Sequence, residues 1–401
     1  MSDIPPTLPA AKPLPPRVPP PAPPRRPGGS TALGIFLGLS LAINFLCLGG
    51  ICVSFFFASK LAGGLGSGVS EKITLLEHHY AGDKLATDKI AIVRIDGVLM
   101  EGLTNYALKQ IEQAAKDKNV KAVVVRIDSP GGTITESDHI HHRLTELRDG
   151  KDGNPAKPLV VSMGSVAASG GYYIAMPASV IYAEKTTITG SIGVYASFPN
   201  VKDLGDKFGF HMNLIKAGRV KDSGSPFQEM KAEERYMWQQ MVNHAYDQFK
   251  DVVEKGRPAL QGKLEERVIN QTVKAPDRVV VEDNGKTSEK FVEKEITYVR
   301  QRADGGIWTA DKAVEYGLID KIGYVEDAIA AAAQTAGLGE KYEAITYDKP
   351  LSLLDLLSGG VKAPDAPTGF DPAKFGSALT PRLWFMAPQT ELAGFVQSIN
   401  R

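Results

Sequence analysis

Hydrophobic positions along this chain follow two periods. Short β-branched runs at residues 90–95 and 122–127 read as strands. The second, Ala-Val-Val-Val-Arg-Ile, is almost continuously apolar, as a strand covered on both faces must be. Between them Tyr106, Leu108, Ile111 and Ala114 recur at roughly helical spacing. The pattern predicts a helix over 133–148, a strand at 159–163, a helix at 169–178, and strands near 180–183 and 192–197. Strands alternating with helices predict parallel sheet and right-handed crossovers. The longest amphipathic helix covers 231–255, where Trp238, Met241, Val242, Ala245, Phe249 and Val252 form one stripe suited to core or subunit packing. Gly256 is its natural stop. A charged stretch, 274–302, reads as an inserted hairpin with Asp283-Asn284-Gly285 as its turn, ahead of a compact αβ ending at 307–332.

The pattern changes outside this region. Residues 1–30 hold 12 of the 26 prolines, a composition that cannot pack a core and predicts an extended tail. From 31 to 59 no charged residue occurs, and leucines and phenylalanines dominate. About 20 apolar residues span a bilayer core, and this run exceeds the ~7–15-residue apolar region of a cleavable signal, so it predicts one uncleaved transmembrane helix. Lys12, Arg17, Arg25 and Arg26 precede it against the single acid Asp3. The positive-inside bias then places the N-terminus in the cytosol and the rest of the chain on the extracytoplasmic side of the cell membrane. Residues 60–88, with Gly63-Gly64-Leu65-Gly66-Ser67-Gly68, read as a flexible linker, 89–337 as the folded domain, and 338–401 as a tail without clear order.

Composition narrows the function classes. Lys plus Arg and Asp plus Glu both total 46 in 401 residues, and no basic block occurs, which argues against nucleic-acid binding. The two cysteines, Cys47 and Cys52, both lie in the apolar span, so neither a disulfide framework nor a four-cysteine zinc site is available. His139 and His142 share a helical face near Asp138, but polar residues on an exposed helix are ordinarily just hydrated. No metal and no cofactor are expected.

Sites in parallel α/β architecture collect where strands end and helices begin. One such junction is Asp128-Ser129-Pro130-Gly131-Gly132, where glycines let backbone N–H groups approach a ligand or simply make a turn. The second runs from Ser162 to Tyr173, with small residues around Ser169-Gly170-Gly171. Ser169 at a helix N-terminus would favour developing negative charge, with the Gly170 N–H as an oxyanion donor. Close helix packing explains the same small residues equally well. Ser165 is a rival nucleophile without the following glycine pair. A serine needs a base. Neither H-E-x-x-H nor G-x-S-x-G occurs. A lysine could serve if its pKa fell from ~10.4 towards neutrality, at roughly 4 kcal/mol for three units, but spacing alone cannot choose one.

Several runs in order resemble signal peptide peptidase A, a membrane-bound serine protease family. They are Ser129-Pro130-Gly131-Gly132, then 163–175 (Met-Gly-Ser-Val-Ala-Ala-Ser-Gly-Gly-Tyr-Tyr-Ile-Ala), then Thr189-Gly190-Ser191-Ile192-Gly193-Val194. Residues 216–222 with Ser225-Pro226 look like the family's base segment, and 310–320 match its C-terminal signature. The similarity covers about 89–335. It implies a Clp protease/crotonase-like α/β fold and a Ser/Lys dyad: Ser169 as nucleophile, Lys221 as general base, Gly132 and Gly170 as oxyanion-hole backbone, Ser191 orienting the lysine. It also implies apolar remnant signal peptides as substrates and a homo-oligomeric ring or dome, because serine and lysine come from neighbouring domains. Two departures stand out: Gly305-Gly306 replaces the family's usual Gly-Arg before Trp308, and the 274–302 insertion is unusual. A silent membrane scaffold of the same fold and a crotonase-type acyl-CoA enzyme are the competing readings.

Overall fold

A computed structural model describes residues 74–283, 286–349 and 383–386. The proline-rich tail, the apolar span 31–59 and the glycine-rich run lie outside the described residues. Among the described residues no helix is long and apolar enough to cross a membrane.

The chain opens with β1 (Leu76–Gly82), β2 (Lys89–Asp96), α1 (Asn105–Lys116), β3 (Val120–Ser129), β4 (Gly131–Thr133), α2 (Ile134–Asp149) and β5 (Leu159–Ala168). Then come α3 (Gly170–Tyr173), β6 (Val180–Ala183), β7 (Ile188–Gly190), β8 (Tyr195–Ala196), α4 (Lys202–Phe208) and α5 (Ala232–Gly256). The hairpin β9 (Arg267–Asp283) and β10 (Lys286–Gln301) follows, then β11 (Ile307–Thr309), α6 (Ala310–Glu315), β12 (Lys321–Ile322), α7 (Val325–Thr335), β13 (Glu343–Asp348) and β14 (Leu383–Met386).

The main sheet runs β1-β13-β2-β3-β5-β6-β12, with β7 and β11 attached beside the far half of β5. Pairings from β13 through β12 are parallel, while β1 and β11 join antiparallel. This is the mixed α/β architecture, largely parallel, that alternating strands and helices predict. Period-2 alternation divides the sheet's apolar side chains between two cores. Val123, Val125 and Ile127 pack with α1 and α2, whereas Ala122 and Val124 pack with α7. Each such Val or Ile withdrawn from water contributes roughly 1.5–3 kcal/mol.

Three features differ from the expected layout. The domain begins before residue 89: β1 lies in the presumed linker and pairs with β13 in the presumed tail, Leu76 opposite Asp348. The helix expected over 169–178 is only four residues long, because two glycines open it and Pro177 follows. The strand expected at 192–197 is replaced by β7 and β8, with the irregular Ser191-Ile192-Gly193-Val194 between them. The insertion is a hairpin as expected, Asp283 opposite Lys286, and its turn residues Asn284 and Gly285 lie outside the described residues.

Two basic groups, one buried and one half-buried, carry measurable consequences. Lys157 is 1% exposed, and its Nζ donates to Ala114 O, a last-turn carbonyl of α1, and to Asp117 O (2.6 Å) just beyond it. Lys157→Met should lower unfolding free energy by about 1–3 kcal/mol in urea titrations, since the Ala114 carbonyl stays buried and loses this donor, whereas Asp117 O keeps the Val120 N–H (3.2 Å). Hydrolysis per folded molecule should be unchanged, because Lys157 sits at the opposite end of β5 from Ser169.

His141 on α2 packs edge-on against the Tyr173 ring at 5.1 Å. Burial pushes its pKa down from 6.5 to about 4; Arg148, His142 and Lys255 push the same way and Asp138 opposes them. Between those two values the unfolded chain binds a proton that the folded chain refuses. Stability is therefore lost as pH falls from about 6.5 through about 4, by at most roughly 3 kcal/mol. The urea midpoint of the wild type should drop more steeply over that window than that of His141→Gln.

Candidate active site

The two glycine-bearing junctions are neighbours in space. Ser129, the last residue of β3, stands opposite Ala167 of β5. Its Oγ accepts from the Gly131 N–H (3.1 Å), which fixes the turn into β4. A Cβ on Gly171 would lie 2.5 Å from the Ser129 carbonyl oxygen, so α3 packs directly on this turn. Gly132 is as constrained: a Cβ there would sit 1.9 Å from Leu99 O. The glycines therefore serve close backbone approach.

β5 reaches the site by changing partners. Val160–Met163 pair with β6, and 166–168 pair with β7. At the change, Asp128 Oδ1 accepts from the Val166 N–H (3.1 Å). Thr187 Oγ1 donates to Gly164 O (2.6 Å) and Thr189 Oγ1 to Ala167 O (2.7 Å), both from fully buried positions. Periodicity gave no hint of these threonine latches; two threonines on one face of a short strand were the available signal. The rival Ser165 is exposed on this bulge.

Ser169 follows at φ 54° and ψ −116°, a backbone region that non-glycine residues rarely adopt. Its N–H donates to Gly190 O (2.7 Å) and its carbonyl accepts from the Tyr173 N–H (2.9 Å), so both flanks hold the strained turn in place. The Oγ is buried and, among the described residues, has no hydrogen-bond partner. With so short a helix the macrodipole adds little. The Gly170 N–H remains a first-turn donor that the helix itself cannot satisfy.

Ser191 is one residue beyond the carbonyl that holds Ser169. It also has positive φ, 53°, and its Oγ donates to Gly305 O (3.2 Å). The Gly305-Gly306 departure thus touches the site directly. A Cβ on Gly306 would meet the Arg300 guanidinium, which stacks 4.0 Å above the Trp308 ring.

Lys221 lies apart from these groups. It is exposed on the irregular stretch between α4 and α5, and among the described residues its amine makes no hydrogen bond or ion pair. The neighbouring Lys216 instead pairs with Asp222 and holds that carboxyl down to about 2. Trp238 Nε1 donates to Ser223 Oγ (2.9 Å), so part of the α5 stripe anchors this loop. Beside it a 710 Å³ cleft is lined by Tyr195, Phe198, Ser225, Trp238 and Val242. Among the described residues no His, Cys, Asp or Glu group has metal-holding geometry. His142 lies 3.0 Å from Glu146 at the surface.

The sequence profile of peptidase family S49 matches residues 151–267 and 291–339, which include Ser169, Ser191 and Lys221. A Synechocystis sp. protein named as a protease is 34% identical over 273 residues, 68% of this chain and 83% of that protein. The chain belongs to peptidase family S49. The chloroplastic serine protease SPPA of Arabidopsis thaliana is 31% identical over 68% of the chain. Protease 4 of Haemophilus influenzae is 29% identical over 69% of it. The chain spans only 36% and 40% of those two longer proteins. Membership makes it a peptidase and agrees with the resemblance to signal peptide peptidase A. The two matched stretches of the S49 profile break at 268–290, inside the β9–β10 hairpin.

Proposed function

We propose that this peptidase is a membrane-anchored serine endopeptidase working through a Ser/Lys dyad on apolar peptides such as remnant signal peptides. The carrying observation is the Ser169 hydroxyl, buried without a partner at a strained turn between two glycine-rich backbone segments. A buried unpaired hydroxyl costs about 1–3 kcal/mol, and a non-glycine residue in such backbone about 1–3 more. Such costs gather where a reacting group must be presented.

In this reading Ser169 Oγ attacks the peptide carbonyl while neutral Lys221 Nζ takes its proton. The N–H groups of Gly132 and Gly170 hold the oxyanion, and Ser191 orients the ammonium. Lys221 then protonates the leaving amine, and water repeats the sequence on the acyl-enzyme.

The exposed position of Lys221 supports an assembly in which one copy's lysine serves the next copy's serine. Phe208, Phe210, Met212, Leu214 and Ile215 precede it, all more than half exposed, and Ile215 is fully so. Such a patch on one short segment is typical of a surface that another protein covers. A ring or dome of Clp/crotonase-like domains would bury it and strip water from the lysine. The span 31–59 would tether the assembly, with residues 1–30 cytosolic and the catalytic domain extracytoplasmic.

The test is hydrolysis of a leucine-rich peptide in detergent by the full chain, Ser169→Ala and Lys221→Ala. Hydrolysis by the full chain alone is expected. Turnover within about tenfold of the full chain in either variant overturns the dyad.

A further inference from the structure

The turn between β10 and β11 is folded around one carboxylate. Asp304 Oδ1 accepts from the Gly306 N–H (2.9 Å), and Oδ2 accepts from the Gln301 N–H (3.2 Å). Arg300, at the base of the β9–β10 hairpin, grips the same carboxylate with two prongs. Its Nη2 donates to Oδ1 (3.0 Å) and its Nε to Oδ2, a pairing that fixes geometry as well as charge. Nη1 donates to Tyr298 Oη (3.1 Å), and the Trp308 ring backs the guanidinium.

Both carbonyls of this turn hold Ser191. Gly306 O accepts from the Ser191 N–H (2.9 Å), and Gly305 O accepts from its Oγ (3.2 Å). The next residue, Ile307, pairs with Gly190, whose carbonyl holds the Ser169 N–H (2.7 Å). A serine hydroxyl has a single proton to donate. With that proton on Gly305 O, the Ser191 oxygen can meet a lysine amine only as an acceptor, which is the form an ammonium needs.

We propose that Arg300 is a positioning residue of the active site: it locks the 304–306 turn and thereby fixes both the place and the proton of the Ser191 hydroxyl. This rests on the proposed role of Ser191 in orienting Lys221. The glycines of the turn serve the arrangement in different ways. Gly305 has φ 82°, a conformation that favours glycine, whereas Gly306 lies outside the positive-φ region. Gly306 is instead a matter of room, since a Cβ there would lie 2.1 Å from Arg300 Nη2. A methyl at 306 would cost the fold little, because the tip of a side chain can move aside. It would, however, push the guanidinium off Asp304 and Trp308.

The test is steady-state hydrolysis of a leucine-rich peptide in detergent by the full chain and its variants, with urea midpoints to establish folding. Arg300→Ala should lower kcat about 10–100-fold and leave KM within about twofold, because Ser191 acts on the lysine and not on the peptide. Arg300→Lys should fall between the two, since an ammonium cannot span both carboxylate oxygens. Gly306→Ala should lower kcat by a factor similar to Arg300→Ala, and should add no loss once Arg300 is alanine. Arg300→Ala should likewise add no loss to Ser191→Ala, the residue through which it acts. Full activity in folded Arg300→Ala, or losses that multiply when it is combined with Ser191→Ala, overturns the inference. Gly306→Ala decides the matter if Arg300→Ala does not fold, and wild-type kcat in Gly306→Ala overturns the inference too. The dyad is judged separately. Turnover by Lys221→Ala within about tenfold of the full chain refutes the dyad, whereas an inactive Lys221→Ala beside a fully active Arg300→Ala refutes only the role of Arg300.

Discussion

Ser169→Ala should reduce peptide hydrolysis by a factor on the order of 10⁴ to 10⁶ without unfolding the chain. The Ser169 hydroxyl makes no hydrogen bond among the described residues, so its removal leaves nothing unpaired. The positive φ is equally strained for alanine, and the melting temperature should stay level or rise slightly. Ser169→Gly separates the two contributions. Glycine adopts φ 54° without penalty, so this variant should be more stable than the wild type by ~1 kcal/mol, yet equally inactive. Calorimetry alongside a peptide assay reads both. A glycine variant less stable than the wild type would mean that the turn is relaxed, and the argument from strain would fail.

Lys221→Ala should cost roughly 10²–10⁴-fold in kcat/KM, the span of a general base, with the fold unaffected because the amine is exposed in the single chain. The sharper expectation concerns mixtures. Ser169→Ala supplies a competent lysine and Lys221→Ala a competent serine. If the dyad forms between copies, mixing the two inactive chains under conditions that exchange subunits should restore about a quarter of wild-type activity, since one junction in four pairs the intact groups. A dyad confined to one chain would restore none. Mass measurement of the assembly with the peptide assay tells the two apart, and dilution below assembly should silence the wild type.

How far the fold could be read from sequence depended on whether the decisive contacts were local. β2, β3, α1, α2 and α5 announced themselves because each buries a repeating pattern within its own length. β1 and β13 did not. Leu-Glu-His-His-Tyr-Ala-Gly is largely exposed and strand-like only because it pairs with residues more than 260 positions away. α3 was overestimated because apolar spacing after Ser169 resembles a helix, whereas Gly170 and Gly171 resist one. In the site, Ser169 and Gly132 stood out through their small neighbours, a local signal. The alternation of Thr187 and Thr189 is the one local trace of the threonine latches, whereas the positive φ of Ser169 and the contact of Ser191 with Gly305 have none, since both depend on segments distant in sequence. Lys221 was beyond any single-chain argument: nothing in its own surroundings distinguishes it, and only the family resemblance selects it.

The ladder between β1 and β13 sets where this domain is handled mechanically. Leu76 and Asp348 are opposite one another at its end, so the first strand of the sheet starts beside the point where β13 ends. A load applied at Leu76 across the strands meets this ladder first and opens it rung by rung. The force is spent on an outermost pair of strands, well before it could distort the bend of β5 that presents Ser169.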